Sequence, residues 1–262
     1  MARVPPAPPV APASPDTGST DRGRTTDIEV RSRPLRATVG VTLWTPPGTG
    51  DDEPLPVLAV HDGPEYVARI GLSALADGWI AEGRAPAHRI ALLHPGERGE
   101  WYSASALYAR ALVCELLPAV AAAAPAAGRP VGLGASLGAL AMLHAQRRHP
   151  GAFAGLMLQS GSYFTPRHDH MEKGFDRYGR IVRFVREVVR QQEFERPVPA
   201  VLTCGVDEDN VHNNRRVAAA LSLQGYGAPL HERPGGHEWP VWEEAVRAHL
   251  PDLLAAAWAG ER

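Results

Sequence analysis

The pentapeptide Gly134-Ala135-Ser136-Leu137-Gly138 occurs once in the chain and has the residue types and spacing of a serine held out for nucleophilic attack. It follows a short apolar run, Val131-Gly132-Leu133, and opens a helical pattern running from Leu137 to His149. A serine at so sharp a strand-to-helix turn adopts a strained backbone conformation that pushes its hydroxyl into the open. Gly134 and Gly138 let the neighbouring backbones approach, and the helix N-terminus offers unpaired N–H groups to a developing oxyanion. With this glycine and serine content one chance match has a probability on the order of 0.1, so the motif needs partners before it carries weight. The plainer reading is a glycine-rich turn whose Ser136 merely caps the helix, and the strand before it and the helix after it favour the nucleophile.

A serine nucleophile needs a base, and the chain has 11 histidines. At a turn of this kind the order along the chain is serine, then carboxylate, then histidine, which leaves only the histidines after Ser136. Among these, His149 ends a helix before Pro150, His231 falls within a strand pattern and His249 inside the last helix. His237 follows Gly235-Gly236, in the connection between the last strand and the last helix, where active-site groups collect. The carboxylate is expected after the preceding strand, in Gly205-Val206-Asp207-Glu208-Asp209-Asn210. Asp209 suits an N-cap for the helix starting near Val211, and spacing does not choose between Asp207 and Glu208. The chosen acid would hold the imidazole in the correct tautomer while Ser136 gives up its proton.

The elements that must position these groups are those of an α/β fold. Strands are predicted at Ile28–Arg31, Ala37–Trp44, Val57–His61, Arg89–His94, Pro130–Leu133, Ala154–Gln159, Ala200–Cys204 and Leu230–Glu232. The first two read as an antiparallel edge pair, because Pro46, Pro47 and Gly48 close the second abruptly. The later ones are short and continuously apolar, as strands buried on both faces are. Helical patterns follow at about 104–124, 137–149, 175–193, 211–224 and 238–257. This alternation predicts a mostly parallel sheet of about eight strands flanked by helices, in one catalytic domain over 28–262. Residues 1–27, rich in Pro, Ala, Ser, Thr and Asp, are expected to form a disordered tail.

The remaining composition narrows the partners. A net charge of −2 and 44% hydrophobic residues describe a globular protein with no electrostatic pull toward nucleic acid or anionic membrane. No run is expected to approach a membrane span, and Pro5, Pro6, Pro8 and Pro9 interrupt any leader-like stretch. Cys114, in a helical pattern, and Cys204, in a strand, read as small buried apolar residues and not as a disulfide, and with no span or leader pattern a cytoplasmic location is the default expectation. His168-Asp169-His170 has chelating spacing without a third ligand, and the loop around it reads better as gating a substrate, with Tyr163, Phe164 and Trp239 as a candidate aromatic wall. No metal and no cofactor is called for.

With these residues placed, the pattern resembles the putative-esterase branch of the α/β-hydrolases, which includes enterochelin esterases and feruloyl esterases. The resemblance covers roughly 35–250. It is densest from Gly134 through His149-Pro150-Gly151-Ala152-Phe153 to Ser160-Gly161-Ser162-Tyr163-Phe164, and returns at Gly235-Gly236-His237-Glu238 with Trp242. It implies the α/β-hydrolase fold and a serine carboxylic-ester hydrolase acting on a small-molecule ester. It implies Glu208 as the acid, three residues after Gly205, with Asp207 in reserve. It also implies an oxyanion hole from the N–H of Leu137 and the Asp62–Gly63 turn, and substrate contacts at Arg98, Glu100, Trp101, Tyr163 and Phe164. For the Arg98–Glu100 segment a plain surface ion pair fits the sequence equally well. Enterochelin esterases carry a separate N-terminal domain that the 35 or so residues before the resemblance do not match, so the expectation stops at ester hydrolysis. The alternatives are acyl transfer to another alcohol through the same acyl-enzyme, and a non-catalytic binding module on the same scaffold.

Overall fold

Four central strands have no solvent-facing residue: Val57–His61 (β3), Arg89–Leu93 (β4), Val131–Ala135 (β5) and Gly155–Gln159 (β6) are buried throughout. Strands of such composition must be covered on both faces. The computed structural model, which describes residues 23–260, covers them with helices on each side. Two further strands, Arg24–Ser32 (β1) and Ala37–Thr45 (β2), lie on one side of this centre, with Ala200–Gly205 (β7) and Leu230–Arg233 (β8) on the other. The sheet order is β1-β2-β4-β3-β5-β6-β7-β8. β1 pairs antiparallel with β2 and β2 antiparallel with β4, while every other pairing is parallel. The expected eight strands and antiparallel edge pair are therefore present.

One face is packed by Gly63–Ile70 (α1), Leu72–Ala81 (α2) and, much later, Trp239–Ala259 (α9), over a core that includes Leu58, Leu133, Met157 and Leu254. The other carries Ala106–Ala111 (α4), which passes through a π turn at Leu112–Leu116 into Leu117–Ala123 (α5), then Leu137–Arg148 (α6), Tyr178–Arg190 (α7) and Val211–Leu223 (α8). A four-residue helix, Arg98–Trp101 (α3), follows β4. Each fully buried Leu of these layers contributes about 1.5–3 kcal/mol relative to an exposed one.

Several expectations change. β1 begins at Arg24, so residues 24–27 belong to the sheet, where Asp27 Oδ1 accepts a hydrogen bond from Thr42 Oγ1 at 2.7 Å; of the rest of the expected tail, Gly23 leads into β1 and 1–22 lie outside the described residues. α1, α2 and α3 were not foreseen. Their signals are local: Pro64 in the first turn with Glu65 beside it, and Gly71 at φ 65° closing α1. The stretch Ala106–Ala123 is long and apolar enough, by composition, to cross a membrane, against the expectation that no run approaches this. In the fold its Tyr108, Leu112, Leu116 and Val120 are buried in the core.

Candidate active site

The parallel strands all end at the same edge of the sheet, and the residues just beyond them supply the site. Ser136 follows β5 with φ 58° and ψ −123°, a conformation costly for a residue with a Cβ. What enforces it is the crossing of β5 and α6. A Cβ on Gly134 would stand 2.5 Å from the Gly138 carbonyl carbon, so only glycine admits this approach. The Ser136 hydroxyl is 3.1 Å from Ser162 Oγ, and the Ser162 amide donates to the Ser136 carbonyl at 3.1 Å.

The turn after β3 lies beside the head of α6. His61 Nδ1–H donates to the Gly138 carbonyl at 2.9 Å, and Asp62, at φ 52°, caps α1. Arg98 holds the Asp62 carboxylate through Nε, at 3.0 and 3.1 Å from its two oxygens. His61 is fully buried, and this desolvation lowers its pKa to about 4 despite the carbonyl bond, so the ring is neutral. The Asp62–Gly63 turn and Leu137, the first residue of α6, thus come together at one end of the site.

At the other end His237 Nδ1 is 2.7 Å from Glu208 Oε2. Glu208 Oε1 accepts from Ser160 Oγ at 2.5 Å and from the Gly205 amide at 2.8 Å. Burial works to raise the Glu208 pKa, but the bonds from His237, Ser160 and Gly205 outweigh it and hold the carboxyl below its ordinary value. Ser160 in turn accepts from the Trp242 indole N–H at 2.8 Å, and the Trp242 ring meets His237 edge to face at 5.1 Å. Gly205 permits this closeness, since a Cβ there would lie 2.3 Å from the Gly235 carbonyl oxygen. Asp207 does not touch the imidazole; its carboxylate accepts from the Gly235 amide at 3.3 Å, bracing the loop that carries His237. Asp209 is not the cap of α8. Asn210 occupies that position, and its side chain donates to the Ser160 and Gly161 carbonyls at 3.1 and 3.2 Å.

Ser136, Leu137, Ser162, Glu208 and His237 share a cavity of about 360 Å³. Of the five expected substrate contacts only Phe164 lines it. Tyr163 is fully buried in the core, because its ring packs back over Gly161 instead of facing outward. Trp101 is buried as well, stacked on Tyr108 at 5.9 Å with its ring against Gly96. Arg98 is the partner of Asp62, and Glu100 is bound by Arg177 and by Arg180. Both are ion pairs. Trp239 meets Tyr66 and Trp242 at 5.1 and 5.0 Å, away from the cavity wall, and His168 stacks on His212 at 5.5 Å. No three candidate metal ligands cluster among the described residues.

Four residues were given no site role from sequence: Ser160 and Ser162, which were quoted only within the resemblance, and Asn210 and Asn214, the cap of α8 and a residue of its first turn. Asn214 exchanges two hydrogen bonds with the Gly161 backbone, at 3.0 and 3.1 Å. The signal for the asparagines is their i, i+4 spacing, which places them on one side of the helix start.

A mostly parallel eight-stranded sheet with a strained serine at a β5–α6 elbow is the architecture of an α/β-hydrolase. The family model described as Putative esterase matches residues 32–253, and the chain belongs to that family. Among solved structures, the enterobactin esterase FES from Shigella flexneri, in the presence of 2,3-dihydroxy-N-benzoyl-glycine, is similar with a TM-score of 0.72 at 23% identity, over 90% of this chain and 59% of that one. A ferulic acid esterase is similar with a TM-score of 0.74 at 18% identity, over 90% and 98%. FphF, a fluorophosphonate-binding serine hydrolase of Staphylococcus aureus, gives 0.64 at 14%, over 88% and 98%. At these identities the likeness is one of fold. The chain spans 59% of the Shigella enzyme's length. No curated protein sequence matches it.

Proposed function

We propose that the protein is a serine carboxylic-ester hydrolase working through an acyl-enzyme, with Ser136 as nucleophile, His237 as base and Glu208 as acid. The observation that carries the reading is the Glu208–His237 hydrogen bond at 2.7 Å in the cavity that Ser136 enters from its strained elbow. Asp207 has its own bond to the Gly235 amide, which favours Glu208.

In the resting arrangement Ser136 is hydrogen-bonded to Ser162. For reaction its hydroxyl turns to His237 Nε2, an adjustment typical of sites without substrate. Ser136 Oγ bonds to the ester carbonyl carbon as its proton passes to Nε2. The carbonyl oxygen, now an anion, is received by the Leu137 N–H and the Asp62–Gly63 turn. Collapse breaks the bond to the alcohol oxygen, which leaves with the proton from His237. A water then repeats the sequence on the acyl-enzyme and releases the acid and free Ser136. Glu208 keeps Nδ1 protonated and stabilises the imidazolium formed in each half. The two cysteines are free thiols, Cys204 buried and Cys114 exposed against the expectation that both are core residues, and they suit a reducing, cytoplasmic setting.

The test is hydrolysis of short activated esters by the purified protein and by Ser136→Ala. The variant is expected to lose roughly four to six powers of ten in kcat, and a fluorophosphonate probe should label only the parent. An alanine variant as active as the parent removes this mechanism.

A further inference from the structure

We infer that His61 is a positioning residue for the oxyanion hole: its imidazole ties the Asp62–Gly63 turn to the head of α6 and so sets the spacing of the N–H groups on the two sides. The inference rests on the hydrolase reading and adds to it a buried residue that belongs neither to the cavity lining nor to the triad.

The hole is assembled from two pieces of chain that are far apart in sequence. Leu137 heads α6, while Asp62 and Gly63 form the turn from β3 into α1. β3 and β5 carry them side by side, but their registered pairs run from Leu58–Val131 to Val60–Leu133 and stop short of both turns. Past that point His61 Nδ1–H reaches across to the Gly138 carbonyl at 2.9 Å, a bond between residues 77 positions apart. The fit is close on both flanks. A Cβ on Gly138 would stand 3.1 Å from His61 Cβ, and one on Gly63 would stand 2.4 Å from Leu92 Cα. The turn is thus wedged between β4 and α6, and the imidazole fastens it to α6.

For packing alone a histidine is a costly choice at this place. His61 is fully buried and its Nε2 has no hydrogen-bond partner among the described residues, so the bond to Gly138 is what offsets the desolvation of the ring. Tyr102 and Tyr108, both buried, hold the ring plane with centroids 4.4 and 5.5 Å away. Arg98 braces the same unit, lying 5.6 Å from the Tyr102 centroid while it binds the Asp62 carboxylate. An oxyanion hole works through donors fixed in advance, and a displacement of about 1 Å at such a site costs on the order of a hundredfold in rate. A buried tie between its two halves supplies that fixity.

The experiment uses the full chain, p-nitrophenyl butyrate as substrate, and a trifluoromethyl ketone of matching chain length, which adds to the serine and places an oxyanion in the hole. His61→Leu removes the donor. His61→Asn puts an amide N–H where Nδ1 stands, and His61→Gln puts it where Nε2 stands, away from Gly138. Each variant is assayed well below its own unfolding midpoint. His61→Leu and His61→Gln are expected to lose about a hundredfold in kcat with KM within about twofold, and to bind the ketone more weakly by the factor lost in kcat/KM. His61→Asn should recover to within about fivefold of the parent. A role in packing alone predicts a lower Tm with kcat and ketone affinity kept, and that result overturns the inference. So does a His61→Asn variant no better than His61→Gln, a comparison that stands even if the leucine variant does not fold. Either outcome leaves the hydrolase reading intact while turnover depends on Ser136. If Ser136→Ala matches the parent, the mechanism and the inference fall together.

Discussion

The two walls of the cavity are built from different materials. On the side of β6 and β7, Glu208, Ser160 and Asn214 are buried, and their hydrogen bonds run to one another, to Trp242 and to the Gly161 backbone. On the side of residues 165–177 the backbone is mostly exposed, and a principal tie is Glu100 to Arg177 and Arg180, with the Glu100 side chain 40% exposed. Buried charge-assisted bonds act in a low local dielectric and fix geometry, whereas exposed ion pairs are worth about 0–1 kcal/mol. Glu208, the proposed acid, therefore stands on the rigid wall. Residues 165–177 stand on the yielding one.

The sharpest way to break this contrast is Glu208→Gln. It keeps the shape and removes the charge, and is expected to cost about 10³–10⁴ in kcat with little change in KM, read from steady-state kinetics. A loss confined to KM would place Glu208 with the substrate wall instead.

Acid should attack the buried parts of the molecule before the exposed ones. His61 and His88 are fully buried and neutral, with desolvation lowering both pKa values to about 4. Their folded pKa values lie below the unfolded value near 6.5, so the unfolded chain binds more protons between these limits. Stability is thus complete above pH 6.5 and falls as pH drops toward 4, by on the order of 3 kcal/mol per histidine. His88→Gln, remote from the cavity, should show a shallower fall of Tm between pH 7 and 5 in calorimetry. A slope equal to the parent's would mean that His88 is charged in the fold.

Ser160→Ala removes one of the three bonds to Glu208 and the acceptor of the Trp242 indole N–H. A loss of about tenfold in kcat is expected, with the acid limb of the kcat/KM profile moved to higher pH as the Glu208 carboxyl loses a donor. An unchanged profile would make Ser160 a packing residue only. The smallest effect is expected on the other wall. Glu100→Gln should change KM by about twofold and leave kcat alone. If it costs more than Ser160→Ala, the two walls are not built differently.

How much of this was legible beforehand follows from what each signal depends on. The strands of the sheet and the helices after residue 100 were readable, because apolar runs and 3.6-residue periodicity are local consequences of burial. α1 and α2 escaped because Gly71 breaks one helical run into two short ones of 8 and 10 residues, each too brief for its period to stand out. Arg98, Trp101 and Tyr163 were expected at the substrate because a motif gives position along the chain and not the direction in which a side chain turns. Tyr163 turns inward over Gly161, and Trp101 stacks on Tyr108.

Residue order by itself determined the elbow at Ser136, the alternation of elements and the loop that carries His237, since each rests on contacts within a few residues or on the ends of strands. Spacing left Glu208 and Asp207 open and the resemblance pointed to Glu208; the tertiary structure puts Glu208 at the imidazole, and it alone decided that Ser160 and Trp242 stand behind it. Those outcomes depend on which of several adjacent side chains a packed neighbour 29, 48 or 82 positions away leaves room for, and no local pattern encodes that.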